Sequence, residues 1–152
     1  GTHGIQAADL LGRKVLMETG RGLQLLAERV QETIARAAGN PRLAANAQAL
    51  GTALGQVANA TREAWSTGNP RDALINAVPY MQAFGHVVLA WLWLDVAQRS
   101  LALDGDAAKP ATAGRAGAAD YFFHYELPKI GAWLKVVESR DATCVQMAEE
   151  AF

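Results

Sequence analysis

The sequence has one cysteine, Cys144, and three histidines in 152 residues. A single cysteine excludes an intramolecular disulfide, so a reducing compartment, the cytoplasm, is expected. No histidine, cysteine or carboxylate stands at the spacing of a helical metal site, so no metal site is predicted. Cys144 also has no basic partner at a suitable spacing, and we expect it to be a buried, unreactive thiol.

An excess of one charge is also missing. Lysine and arginine number 14 and aspartate and glutamate number 15, and no block of like charge occurs. Nucleic acids and anionic membrane surfaces are bound by clustered lysine and arginine, so neither is an expected partner. The opening residues also lack the charged and apolar regions of a signal peptide.

What the chain has in abundance is apolar sequence, 51% of its residues. The stretch from Ala83 to Ala97 is apolar on nearly every side, and only Gly85, His86 and Asp95 interrupt it. A helix that is apolar all round is a buried helix, and this run is too short to cross a bilayer. It is predicted to be the central helix of a soluble bundle.

Helix starts are marked twice by the same dipeptide, at Asn40-Pro41 and at Asn69-Pro70. Asparagine accepts hydrogen bonds from the free N–H groups of a first turn, and proline has no N–H to leave unpaired. A third start is expected near Pro110. Ser139 or Asp141 is expected to cap a last short helix.

Breaks are predicted where glycine and proline fall inside helical patterns. Glycines in the segment 18–22 predict a break there, Pro79 predicts a bend or a second start, and Pro128 predicts a kink. Asp104 to Pro110 is predicted to be a loop. The predicted fold is therefore all-α: an antiparallel bundle of four main helices with a short N-terminal helix and a short C-terminal helix. The C-terminal helix would carry Cys144, Ala148 and Phe152.

Three polar residues in apolar segments are candidates for chemistry. His86 is predicted to be structural, hydrogen-bonded to a backbone carbonyl or a tyrosine, with a functional role as the alternative. His124 is predicted to pack in the interior, with a general base as the alternative. Asp95 is predicted to pair with Arg99 one turn on, or to face a loop. No catalytic constellation is found.

Four tryptophans fall on or beside the apolar seams and are explained by core packing. They are Trp65, Trp91, Trp93 and Trp133. Two other readings stay open at this point. One is a ligand-binding bundle with a pocket lined by Trp91, Trp93, Phe122 and Tyr125. The other is a free-standing interaction module with a groove between the second and fourth helical regions.

A family resemblance is carried by GTHGIQAADLLGRKV at residues 1–15, YFFHYELPKI at 121–130 and DATCVQMAEEAF at 141–152. Together they are similar to the C-terminal part of the flavin-dependent acyl-CoA dehydrogenases. The closer resemblance is to the branch that includes 3-methylmercaptopropionyl-CoA dehydrogenase, whose members have an additional helical C-terminal domain. In this family a Tyr-Glu-Gly-Thr-x-x-Ile-Gln run carries the catalytic glutamate, and Gly1, Thr2, Ile5 and Gln6 match the positions after it.

The resemblance implies that the chain starts one residue after the catalytic glutamate, so no catalytic residue is expected within it. It implies FAD, acyl-CoA and an electron-transfer flavoprotein as cofactor, substrate and partner of the intact enzyme. Gly1 would lie beside the substrate thioester, and Thr2, His3 and Gly4 would contact FAD through backbone amides and a hydroxyl. No flavin is expected to bind the 152 residues alone.

The resemblance and the break at 18–22 together imply two parts. Residues 1–18 would be the last helix of the upstream dehydrogenase core, and residues 19–152 an accessory bundle with a structural role. Separated from its core, the first helix would be mobile or would pack non-natively. An exposed face on Leu10, Leu11 and Val15 makes a homodimer a candidate.

Overall fold

The computed structural model describes residues 2–104 and 109–151, without the side chain of Asp104, and within those ranges it contains helices and no strand. The α-helices are α1 (His3–Asp9), α2 (Met17–Ala38), α3 (Ala44–Ala64), α4 (Pro70–Leu74), α5 (Ala77–Asp104), α6 (Pro110–Tyr121), α7 (Ile130–Ser139) and α8 (Thr143–Gln146). Two π-helical segments, Leu10–Lys14 and Phe122–Glu126, and two 3-10 segments, Leu127–Lys129 and Glu149–Ala151, complete the described elements.

The four main rods are α2, α3, α5 and the run from α6 to α7. Helices α3 and α5 contact each other, and each also contacts both α2 and α7. Helices α5 and α7 are antiparallel, because Asn76 donates to the carbonyl of Asp141 at 2.9 Å while His86, further along α5, lies against Trp133. The predicted antiparallel bundle is confirmed.

The second Asn-Pro pair starts a helix as predicted. The Asn69 side chain accepts from the N–H of Arg71 at 3.0 Å, and Pro70 is the first residue of α4. The first pair instead builds a turn: Asn40 accepts from the N–H of Arg42 at 3.0 Å, and α3 begins only at Ala44. The start predicted at Pro110 is confirmed as the first residue of α6.

The predicted break near residue 20 is confirmed by the backbone. Glu18, Thr19 and Gly20 all have left-handed dihedral angles, with φ of 50°, 56° and 86°. Left-handed residues cannot continue a right-handed helix, so the α-helical hydrogen bonds are interrupted here and resume beyond Gly20. The chain therefore changes direction between the first helix and the bundle.

Both internal prolines act as predicted. Pro79 is the third residue of α5, where a helix needs no N–H, so it marks a second start after α4. Pro128 cannot donate to the carbonyl of His124, and the chain there passes from a π segment into a 3-10 segment before α7. The loop predicted from Asp104 to Pro110 falls largely on residues 105–108, which lie outside the described residues.

Helix α5 is central, but it is not buried on all sides. Tyr80, Ala83 and Leu94 are fully buried, whereas Leu89, Leu92 and Val96 keep 45%, 47% and 40% of their surface exposed. We call these last three residues the α5 stripe. The expectation of complete burial was wrong, because the helices that contact α5 cover its other sides only.

Residues Ala77–Leu103 of α5 are long and apolar enough for a membrane span by length and composition alone. The core helix of a water-soluble bundle passes the same test, and a third of the most apolar window is buried inside this bundle. The feature therefore does not by itself indicate a membrane protein.

The C-terminal helix exists, but its N-cap residue is Ala142, which makes no side-chain cap hydrogen bond, and not Ser139 or Asp141 as predicted. The carboxylate of Asp141 accepts from the N–H of Thr143 at 3.0 Å, and the hydrogen bonds to Thr143 hold the pKa of Asp141 below its ordinary value. The prediction that Cys144 is buried was wrong, because α8 packs none of its residues into the core. The helix is also shorter than predicted: it ends at Gln146, and Ala148 lies beyond it and is exposed. Phe152 lies outside the described residues.

Candidate functional site

The N-terminal helix is held firmly on the bundle. Leu11 is fully buried and Val15 nearly so. The indole N–H of Trp65 donates to the carbonyl of Leu11 at 3.1 Å. A Cβ added at Gly12 would lie 3.2 Å from a methyl group of Leu74, so glycine permits the close approach of α4. Helix α1 itself packs on α5.

The first helix packs against the bundle of the same chain, which is one of the alternatives expected for it. The exposed face predicted for Leu10, Leu11 and Val15 is absent. Leu11 and Val15 are buried and Leu10 is half-buried, because α2, α4 and α5 cover the segment. The argument for a homodimer from that face therefore fails.

The π-helical segment Leu10–Lys14 allows one short stretch to contact both Trp65 and Leu74. The N–H of Val15 donates to the carbonyl of Leu10 at 3.0 Å, five residues back. A π-helical turn carries one residue more than an α-helical turn and rotates the side chains that follow. On the outer surface Asp9 binds Arg13 at 2.6 Å and Lys14 at 3.4 Å. The Arg13 hydrogen bond holds the pKa of Asp9 below its ordinary value.

The predicted cofactor-binding residues all lie on the surface at the start of α1. Thr2, His3 and Gly4 are exposed, and a Cβ added at Gly4 would meet nothing within 4 Å. The Thr2 side chain does not cap the helix, although its carbonyl accepts from the N–H of Gln6 at 2.9 Å. Gly1, the predicted substrate contact, lies outside the described residues. The segment is thus open to contact from a molecule or domain beyond this chain.

His86 occupies the structural role predicted for it. Its Nδ1 lies 2.9 Å from the carbonyl of Gln82, so Nδ1 donates to that oxygen. Its Nε2 lies 3.7 Å from a carboxylate oxygen of Glu126, and its ring meets Trp133 edge-on at 4.8 Å. The residue joins α5 to the segment that precedes α7.

Glu126 is the polar partner that the sequence reasoning missed. Lys129 binds it at 2.6 Å, and this hydrogen bond, with a smaller contribution from His86, holds the pKa of Glu126 below its ordinary value. The spacing of three residues between Glu126 and Lys129 is the signal that could have predicted the pair. Glu126 thus forms an ion pair with Lys129.

His124 and the aromatic residues of the predicted ligand pocket lie in surroundings different from those predicted. His124 is exposed, because the π-helical segment turns it outward, so the prediction of a packing residue was wrong. Tyr125 is also exposed and stacks on Tyr121 at 4.9 Å. Trp91 donates its indole N–H to Thr33 at 2.9 Å. These contacts leave no shared pocket for Trp91 and Tyr125.

The ion pair predicted between Asp95 and Arg99 is confirmed. Asp95 binds Arg99 at 2.6 Å, as predicted, and also binds Arg36 of α2 at 3.3 Å. Among the described residues, no buried side-chain nitrogen or oxygen lacks a hydrogen bond, and no three histidine, cysteine or acidic residues form a group that could hold a metal ion.

The main groove lies between α3 and the start of α7, with a volume of about 410 Å³. Its lining consists of Ala45, Gln48, Ala49, Thr52, Ala53, Gln56, Phe123, Leu127, Pro128 and Ile130. None of these side chains is ionisable, so the groove offers no acid–base chemistry. The groove predicted between the helical run that begins at Leu23 and the one that begins near Pro110 is not found among the described residues, because α3 and α5 lie between α2 and α7.

The described residues thus form an all-α bundle, and the groove between α3 and the start of α7 is lined by side chains that are not ionisable. Comparison with known proteins identifies the family. Residues 26–148 match the family described as "Acetyl-CoA dehydrogenase C-terminal like". Since this match covers most of the chain, the chain belongs to that family.

A curated relative supports the assignment. The chain is 27% identical over 164 aligned positions to the broad-specificity linear acyl-CoA dehydrogenase FadE5 of Mycobacterium tuberculosis. The alignment covers 100% of this chain and 27% of that protein. The chain thus spans about a quarter of the length of the relative that it matches, and a protein of this family includes other domains in the same polypeptide.

Proposed function

We propose that the chain is the C-terminal domain of an FAD-dependent acyl-CoA dehydrogenase of the branch that includes 3-methylmercaptopropionyl-CoA dehydrogenase. In the intact enzyme an acyl-CoA thioester would lose its α-proton to a glutamate and a hydride from its β-carbon to the flavin. The helical domain would buttress the domains that hold these reactants in register. The observation that carries the proposal is the family match over residues 26–148.

The proposal assigns the flavin and substrate contacts to the first four residues. Gly1 would lie beside the thioester, and Thr2, His3 and Gly4 would contact FAD. The exposure of residues 2–4 supports this assignment, since a buried segment could not meet a cofactor held by another domain. The rigid attachment of α1 through Leu11 would fix those residues in position.

The same proposal divides the chain at residue 18. Residues 1–18 would complete the dehydrogenase core, and residues 19–152 would form the accessory bundle. The left-handed backbone at Glu18, Thr19 and Gly20 supports a junction at this point. Because α1 also packs on α5, the first helix would be shared between the core and the bundle.

The test uses the complete polypeptide that contains this chain. The purified polypeptide should show a flavin absorbance spectrum and should reduce an electron acceptor, such as an electron-transfer flavoprotein, when an acyl-CoA is added. Changing the glutamate expected directly before Gly1 to glutamine should abolish turnover and leave the flavin spectrum intact. The 152 residues alone should be colourless and inactive.

Two outcomes would overturn the proposal. The first is a complete polypeptide that binds no flavin. The second is turnover by the 152 residues alone, which would place the reactive groups inside the bundle.

A further inference from the structure

The α5 stripe is an aliphatic surface that the described chain covers only in part. Leu89, Leu92 and Val96 keep 40–47% of their surface exposed on a helix whose other sides are buried. Their spacing of three and four residues places them on one line, and Gly85 extends that line by one turn. A Cβ added at Gly85 would meet nothing within 4 Å, so the line is open there also.

The far end of the stripe opens into a hollow of about 350 Å³. Val96 and Leu103 contribute apolar walls, and Arg99, Ser100 and Arg115 contribute polar atoms. Leu103 is 86% exposed, which is unusual for a leucine at the end of the most apolar helix. A flat aliphatic line that ends in a hollow is a shape that another protein surface can fill.

We infer that the α5 stripe is the surface on which the preceding dehydrogenase domains of the same polypeptide are seated. This inference rests on the proposed function, which supplies those domains. The matched relative has about three quarters of its length outside the aligned region. Helix α1, through which preceding domains would be connected, itself packs on α5. The connection and the uncovered line therefore share one helix.

The size of the stripe favours a tethered partner over a second copy. From Leu89 to Leu103 the line is about 20 Å long at 1.5 Å per residue and about 10 Å wide, an area of roughly 200 Å². A stable interface between free proteins buries about 800 Å² on each partner. A domain in the same polypeptide needs less area, because the covalent link replaces an encounter in solution with a high effective concentration.

The charges beside the stripe disfavour a bilayer. Helices that lie on membranes carry a surplus of lysine and arginine on the polar face. Here Arg99 is paired with Asp95 at 2.6 Å, and Arg115, at the end of the stripe, donates to the hydroxyl of Ser100 at 2.8 Å. Both arginines thus have hydrogen-bond partners within the domain, as suits a protein partner.

Cysteine labelling tests the inference. Leu92→Cys is introduced into a Cys144→Ser background, both in the complete polypeptide and in the 152-residue chain, and the rate of maleimide labelling is measured under native conditions. Labelling of the complete polypeptide should be at least about tenfold slower, as for a site reached only in a minor open state. Gln31→Cys, at an exposed position of α2, is the matched control and should react equally in both.

A second variant controls for the possibility that the Leu92→Cys substitution itself weakens the interface. Leu89→Cys should also be protected in the complete polypeptide, and adding Leu92→Arg should restore its labelling to the rate of the 152-residue chain. Circular dichroism of the shorter chain should not change with Leu92→Arg, because that residue is already partly solvated.

Equal labelling of both forms at positions 89 and 92 would overturn the inference. So would protection in the 152-residue chain that grows with its concentration, which would identify a second copy, or protection that requires vesicles of anionic phospholipid. The proposed function is tested separately, by the presence of flavin. Protection of positions 89 and 92 in a complete polypeptide that binds no flavin would support the interface and contradict the proposed enzyme. A complete polypeptide with flavin and turnover, but with both positions freely labelled, would support the enzyme and contradict the interface.

Discussion

The hydroxyl groups of Thr61 on α3 and Tyr80 on α5 lie 2.7 Å apart in the buried centre of the bundle. Thr61 also lies 2.8 Å from the carbonyl of Val57, to which only a hydroxyl hydrogen can bond. Thr61 therefore donates to Val57, and Tyr80 donates to Thr61. This chain of hydrogen bonds fixes the register of the two central helices.

Removing the Thr61 hydroxyl should lower stability more than removing the Tyr80 hydroxyl. Thr61→Val leaves the Tyr80 hydroxyl buried without an acceptor, and we expect the free energy of unfolding to fall by about 1–3 kcal/mol. Tyr80→Phe leaves Thr61 bonded to Val57 and should lower it by about 0.5–1.5 kcal/mol. Urea unfolding of the two variants and of the double variant measures the coupling, and a double variant equal to the sum would show that the hydroxyls do not interact.

Tyr80 should also make the fold sensitive to alkali. Burial raises the pKa of Tyr80 to about 12, from an ordinary value of 10.0. The folded chain thus keeps a proton that the unfolded chain loses, so stability is unchanged below about pH 10 and falls as pH rises towards about 12. The loss should amount to about 2–3 kcal/mol. Unfolding midpoints across this range should show it.

Tyr80→Phe is the control for that titration. The difference in stability between wild type and variant should shrink or reverse above about pH 10. Tyr121 and Tyr125 are exposed and remain in both proteins. A parallel fall in both proteins would assign the alkaline sensitivity to other groups.

The sequence predicted most of the fold because its signals are local. Asparagine-proline starts, glycine breaks and helical periodicity each act within a few residues, and the resulting elements are those observed. The helix start at Asn40 was misplaced by three residues, since an asparagine that caps a turn has the same sequence signature as one that caps a helix.

The contacts between elements were harder to predict. The covering of Leu11, the outward turn of His124 and the exposure of Leu92 depend on which helix lies beside which. Periodicity shows that α5 has no polar side, but it does not show how many neighbours α5 has. Glu126 was missed for the same reason, since its histidine partner lies 40 residues away on another helix.

The left-handed turn within the first residues of α2 should respond to substitution in a predictable direction. Gly20 has φ of 86°, so Gly20→Ala should lower the free energy of unfolding by about 1–2 kcal/mol. Gly39, at the other end of α2, has φ of −73° and open space around its Cβ position. Gly39→Ala should therefore raise stability by about 0.4–1 kcal/mol. Two changes of the same sign in thermal unfolding would contradict this view of the turn.

Cys144 should react as an exposed thiol. It lies in α8, outside the core, so a thiol reagent should modify it in the native protein at the rate of a small-molecule thiol. Cys144→Ser should change the free energy of unfolding by less than about 0.5 kcal/mol. Labelling only after addition of denaturant would show that α8 is covered. Slow oxidation of the protein should yield a disulfide-linked dimer that dithiothreitol reverses.

The packing of the first helix should make it part of the cooperative fold. Leu11 is fully buried, so Leu11→Ala should lower the free energy of unfolding by about 2–5 kcal/mol. Ile5→Ala, at a position 69% exposed in the same N-terminal segment, is the matched control and should change it by less than about 0.5 kcal/mol. Amides of residues 11–15 should exchange nearly as slowly as those of 87–94, because Trp65 and Leu74 pack against the segment. Fast exchange at 11–15, together with no change in the free energy of unfolding for Leu11→Ala, would mean that this helix detaches readily from the bundle. The flavin contacts proposed for residues 2–4 would then lose their support.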